Sequence, residues 1–105
     1  MQVERTILLT IVAERILEPQ LKELVEQAGA EGYTIVTVQG KGKHGEQTGP
    51  MSVRENIQIT LVVPRRVADA IVDTVEKNYA RSYGILAFMH DVDVIRWTPS
   101  MNAAR

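Results

Sequence analysis

The 105 residues include no cysteine, one tryptophan, one phenylalanine and two histidines. Without cysteine there can be no disulfide, no thiolate metal ligand and no cysteine nucleophile. A chain without such staples suits a reducing cytoplasm. The histidines, His44 and His90, form no H-x-x-x-H or similar pair, so no histidine metal motif can be written. Apolar runs last only a few residues, against the roughly 20 that span a bilayer. The opening Met1-Gln2-Val3-Glu4-Arg5 has neither the basic start nor the long apolar stretch of a signal peptide. An excess of one charge is also missing. Twelve Lys+Arg against thirteen Asp+Glu give a net charge of -1. A nucleic-acid partner is not expected, because such binders show a basic excess or stripe. The expectation is a soluble cytoplasmic protein.

What is present fits one globular domain: 45% hydrophobic and 24% charged residues. Residues 6–12 are rich in β-branched side chains and read as strand 1, with Ile7, Leu9, Ile11 and Ala13 on one face. The other face, with Leu8 and Val12, is also substantially apolar and should be covered. Leu17, Leu21, Leu24, Val25 and Ala28 form a 3.6-residue stripe, which places helix 1 over about 14–28. Pro19 falls in its first turn and Gly29 and Gly32 follow its end. Strand 2 is read over 33–39 and strand 3 over 55–63. In strand 3, Ile57, Ile59, Leu61 and Val63 alternate with Asn56, Gln58, Thr60 and Val62. Helix 2 runs from about Arg66 to Tyr79 and strand 4 from about Ile85 to Trp97. Thirteen residues is long for a strand, so a bulge is expected near His90-Asp91. The order is β-α-β-β-α-β, an α+β, ferredoxin-like pattern with two helices on one face of a four-stranded antiparallel sheet. Residues 1–97 form the domain and 98–105 a polar tail. Nothing covers the sheet face that carries Leu8, Val12 and Val62, so an oligomer is expected.

Between strands 2 and 3 lies a glycine-rich stretch of about 15 residues, longer than compact domains usually keep without a functional reason. Four glycines and little apolar content make it expensive to order, so it should move in the free protein. Gly40-Lys41-Gly42-Lys43-His44-Gly45 could turn backbone N–H groups toward an anion and add charge. It is not a Walker A motif, and a solvated hairpin loop has the same composition. Arg96 interrupts an apolar run near the end of strand 4. It is either a phosphate clamp or a surface arginine. The His90-Asp91-x-Asp93 alternation is that of an exposed strand or of a weak cation site.

Together these segments resemble the PII signalling superfamily, and within it the PII-like carbon-sensing group of the SbtB and CPII type. Residues 29–36 followed by Gly40-Lys41-Gly42 resemble that group's helix end, strand 2 and T-loop base. Tyr83-Gly84-Ile85 resembles its B-loop, and Val94-Ile95-Arg96 its last strand with a phosphate-facing arginine. The resemblance covers about residues 6–97. It implies a homotrimer that binds an adenine nucleotide at three intersubunit clefts, with the T-loop, about 41–54, docking on a target such as a membrane transporter. Carried over, Gly40 and Gly42 offer backbone contacts, Lys41 and Arg96 offer charge, Gly84 and Ile85 sit by the phosphate or ribose, and His44, near the position of a T-loop arginine of that group, counts among the nucleotide-binding residues. The chain lacks the glycine-lysine-rich B-loop and the T-loop tyrosine of nitrogen-sensing PII proteins, and the C-terminal cysteine pair of many SbtB-type proteins. The expectation is therefore a non-enzymatic sensor of ADP or AMP, with cyclic AMP also fitting, together with bicarbonate. It needs no cofactor, regulates inorganic-carbon uptake and reaches the membrane through its target. The alternatives are a small enzyme on this fold, such as a slow nucleotide diphosphatase or a cofactor-free monooxygenase-like dimer, and a trimer resembling the CutA metal-tolerance proteins.

Overall fold

The computed structural model describes residues 1–40 and 54–97. It runs β1 (Gln2–Glu14), a 3-10 turn (Arg15–Leu17), α1 (Glu18–Gln27), β2 (Thr34–Gly40), β3 (Arg54–Val63), α2 (Arg65–Asn78) and β4 (Ile85–Arg96). The strands form one antiparallel sheet in the order β2-β3-β1-β4. This is the ferredoxin-like arrangement expected. The segment between β2 and β3 expected to be mobile, with Lys41, Gly42 and His44, lies outside the described residues, as does the tail from 98.

The core sits between the sheet and the helices. Ile7, Leu9, Ile11 and Ala13 of β1 and Ile57, Ile59, Leu61 and Val63 of β3 are buried there. They meet Leu17, Leu21 and Val25 from the first helical segment and Val67, Ala68, Ile71 and Val75 from α2. The alternation in β3 and the stripes on the helices are therefore the halves of one core. Helix α1 ends as its glycines imply. Gly29 takes φ +102°, its N–H bonds Glu26 O, and the Ala30 N–H bonds Val25 O. These are the two bonds of a Schellman cap, which needs a left-handed residue where glycine stands.

Three expectations are corrected. Helix α1 begins at Glu18, not at 14, because Glu14 is still extended and a 3-10 turn intervenes. Pro19 stands in the first turn of the α-helix, where its missing N–H costs no intrahelical bond. Strand β1 extends well beyond 6–12, to 13 residues. No bulge interrupts β4 near His90-Asp91. Its register to β1 is continuous from Ala13 opposite Ile85 to Gln2 opposite Arg96. A long β4 needs no bulge because β1 is equally long and stays in step with it.

The pairing of β3 with β1 begins only at Ile7 opposite Val63. Residues 2–6 therefore pair with 92–96 alone, and β1 and β4 continue past the sheet as a two-stranded arm. Two cross-strand ion pairs hold it, Arg5 Nε to Asp93 Oδ1 at 2.9 Å and Arg96 Nε to Glu4 Oε1 at 3.0 Å. The open sheet face presents half-buried Leu8 and Val12 with exposed Val36, Val62, Leu86 and Phe88.

Candidate functional site

The anticipated site residues that are described fall at two ends of the subunit. Gly40 closes β2 opposite Arg54, and Ile85 opens β4 opposite Ala13. Both lie at the end of the sheet from which the glycine-rich segment leaves. Gly40 and Ile85 are separated by three strand spacings, about 14 Å, across the sheet and by three residues, about 10 Å, along it. Arg96 closes the same strand that Ile85 opens, roughly 35 Å away at about 3.3 Å per residue. One subunit therefore does not bring Arg96 to Gly84 and Ile85.

At the loop end the structure adds a residue that the sequence did not single out. The Gly84 N–H donates to Glu14 Oε2 at 2.9 Å. Next to it, Arg15 Nη1 reaches Glu55 Oε1 at 2.6 Å, tying the 3-10 turn to the start of β3. That carboxylate holds the Arg15 guanidinium above its ordinary range through the hydrogen bond and its charge.

At the arm end Arg96 lines a cavity of about 570 Å³, within the 300–1,000 Å³ usual for small-molecule sites. Gly32, Tyr33 and Thr34 form one wall, Thr60 and Val62 the floor, and Glu4, Val94 and Arg96 the arm side. The register assembles it: Thr34 pairs with Thr60, and Val94 with Glu4. The Tyr33 hydroxyl donates to Glu26 Oε2 at 2.5 Å, and this bond raises the phenol above its ordinary pKa. Thr6 Oγ1 donates to Val63 O at 2.8 Å and fixes the root of the arm. Hydroxyls, backbone groups and valines line the middle of the cavity, and its charged lining is Arg96 with the carboxylates Glu4 and Glu31. The Arg96 Nε is engaged by Glu4, and a guanidinium has four further N–H donors.

Among the described residues no three His, Asp or Glu side chains converge as a metal site would require. No described helix is long and apolar enough to cross a membrane. The chemistry on offer is therefore hydrogen bonding and charge, divided between a cavity with one arginine and a loop end with glycine amides.

The anticipated recognition groups of this ferredoxin-like subunit are thus split between its opposite ends. Residues 6–98 match the family model of the nitrogen regulatory protein P-II, and the chain belongs to that family. It is similar to a PII-like signalling protein from Thermus thermophilus, with 34% identity, 90% of this chain and 94% of that one covered, and a TM-score of 0.76. It is also similar to CPII from Thiomonas intermedia, a nitrogen regulatory PII-like protein solved with ADP, AMP and bicarbonate. There the identity is 26%, the coverage 92% and 100%, and the TM-score 0.78. CPII bound to ADP and bicarbonate matches at 27% identity, over 90% and 93% of the two chains, with a TM-score of 0.76.

Proposed function

We propose that this chain is a non-enzymatic signalling protein that binds ADP or AMP between the subunits of a homotrimer. The observation that carries this reading is the cavity beside Arg96, in a family whose member CPII was solved with those nucleotides. The adenine and ribose occupy the uncharged part of that cavity, lined by Thr34, Thr60, Val62 and Val94. The phosphates leave past Arg96 toward the loop end of the neighbouring subunit, where Gly40, Gly84 and Ile85 stand. Lys41, Gly42 and His44 belong to the same loop end by sequence. The separation of roughly 35 Å between the two ends of β4 supports a shared cleft, since each subunit then gives one end to each of two clefts. The open face of Leu8, Val12, Val62 and Phe88 supplies apolar surface for assembly.

Bicarbonate acts as a second effector, and the bound state is read by a partner protein through the segment between β2 and β3. Regulation of inorganic-carbon uptake, with a transporter as the target, is the role that fits those two ligands. A thermal-shift screen with AMP, ADP, ATP and cyclic AMP, each with and without bicarbonate, tests this. A ligand confined to the folded state raises stability by about 2.7 kcal/mol at 100 times its Kd. Stabilisation by ADP or AMP that bicarbonate increases is the expected result. No shift with any nucleotide would remove the proposal, and release of phosphate from ADP on incubation would replace it with an enzyme.

A further inference from the structure

We propose that His90 makes the contact between subunits, and with it the shared nucleotide cleft, sensitive to protons. The proposal rests on the trimer and nucleotide reading above. Leu8 stands opposite His90, Thr10 opposite Phe88 and Val12 opposite Leu86, so these side chains share one face of the sheet. It is the open face, since Leu9 and Met89, one step along, turn to the core. The face runs over β1 from Thr6 to Val12, β4 from Leu86 to Val92, β3 from Asn56 to Val62 and β2 from Thr34 to Val38. No side chain that these strands turn to it is an acid, a lysine or an arginine. Charge returns beyond it, at Glu14 toward the loop end and at Glu4 and Arg96 on the arm. The uncharged face measures roughly 500 Å², at about 4.8 Å between strands and about 6.7 Å between successive side chains on one face. That is the size of the largest patch on a typical monomer, and such patches mark contact surfaces.

A second copy of the chain is the partner that suits it. A charged partner finds nothing to pair with here, whereas the cores of contacts between like subunits are themselves depleted of charge. The threonines, Asn56 and Gln58 both donate and accept, so the face can satisfy a copy of itself. His90 is its one group that titrates near neutrality. The Phe88 ring meets the imidazole edge-on, with centroids 5.7 Å apart and planes at 88°. Leu8 faces it from β1 between Thr6 and Thr10, and Val92 follows it on β4. None of these neighbours carries a charge. Asp91 and Asp93 alternate to the opposite face, where Arg5 holds Asp93. In one subunit His90 is exposed, and water solvates either form of the ring. Under a second copy an imidazolium would be buried without a counter-charge, which is far more costly than burying the neutral ring. The assembled state therefore binds fewer protons than the separated subunits. Assembly is strongest where the imidazole is neutral and weakens as pH falls through the histidine range of about 8 to 5. Each ring that must lose its proton weakens association by about tenfold per pH unit. Acid also converts bicarbonate to carbon dioxide, so loss of that effector and loosening of the cleft go together.

The test measures mass by light scattering and ADP affinity by calorimetry at about pH 7.5 and about pH 5.5, on either side of the ordinary histidine value. In the wild type the trimer mass should fall toward that of one chain at the lower pH, with ADP affinity down about tenfold or more. His90→Gln keeps a neutral donor and acceptor at both pH values and should hold the trimer mass. It meets the same protonation of ADP itself, so its difference from the wild type isolates the histidine. His90→Arg, charged throughout, should be dissociated at both pH values with an unchanged far-ultraviolet circular dichroism spectrum. A wild type with equal mass at the two pH values overturns the role of His90 and leaves the nucleotide reading standing. So does a folded His90→Gln that is monomeric at the lower pH. A wild type that is monomeric at the higher pH overturns the trimer as well, and a trimer that binds no ADP overturns the nucleotide reading alone.

Discussion

Arg96 and Tyr33 stand at the rim and wall of one cavity, and each is held by a glutamate. The Arg96–Glu4 pair is exposed, so it adds little to stability, whereas a guanidinium donating to a phosphate is a specific loss when removed. Arg96→Ala should leave the thermal midpoint close to that of the wild type and weaken ADP binding about tenfold or more in calorimetry. Unchanged affinity would place the phosphates elsewhere. Tyr33 offers a spectroscopic handle. Its raised pKa means that the folded state keeps the phenolic proton that the bond to Glu26 uses. The bond's contribution is complete below the ordinary tyrosine pKa of about 10 and is lost as pH rises through the higher folded value. An ultraviolet titration should show a late component, and Tyr33→Phe should abolish it. Thr6 is different, being buried with its hydroxyl on Val63 O. Thr6→Val leaves that carbonyl without its partner and should cost about 1–2 kcal/mol in urea unfolding.

At the level of elements, β1 decides the fold, lying between β3 and β4 and contributing to the core along its inner face. Leu9 is fully buried there, between Leu61 and Met89 on the neighbouring strands. Leu9→Ala should destabilise by about 2–5 kcal/mol, the range for emptying a core leucine site. A loss below about 1 kcal/mol would mean that the helices collapse onto the gap. Ile57, Ile59, Leu61 and Val63 could be read directly, because alternation is a local pattern and the core lies on one side. The start of β1 could not. Gln2, Glu4 and Arg5 carry no strand signature, and they are extended because Arg96 and Asp93 face Glu4 and Arg5 across the arm. Glu14 reads as helix for the same reason: its partner is Gly84, 70 residues on. Arg96 and the glycines announce themselves by chemical type. Thr34, Thr60, Val62 and Val94 do not, since threonine and valine are ordinary strand residues and only the register gathers them into a cavity wall.

Among the described residues, apolar surface is exposed in the 3-10 turn at Ile16, on the open sheet face and on the arm. On the arm Val3 is 58% exposed, and Trp97, just past it, 70%. A two-stranded ribbon is at best marginally stable alone in water. Light scattering at micromolar concentration should give three times the 11.7 kDa chain mass, and a monomer or dimer mass would remove the shared cleft. The arm also gives β1 two different clocks. Its amides from Ile7 onward sit between two strands and can exchange with solvent only when the sheet itself opens. Those of residues 2–6 have a single neighbouring strand, and fraying of β4 releases them. In deuterated water one continuous strand should therefore label in two phases, with the boundary between Thr6 and Ile7. Dilution below the assembly concentration should quicken only the first. The rate at which the arm takes up deuterium then reports how much of the protein is assembled, read from within a single strand.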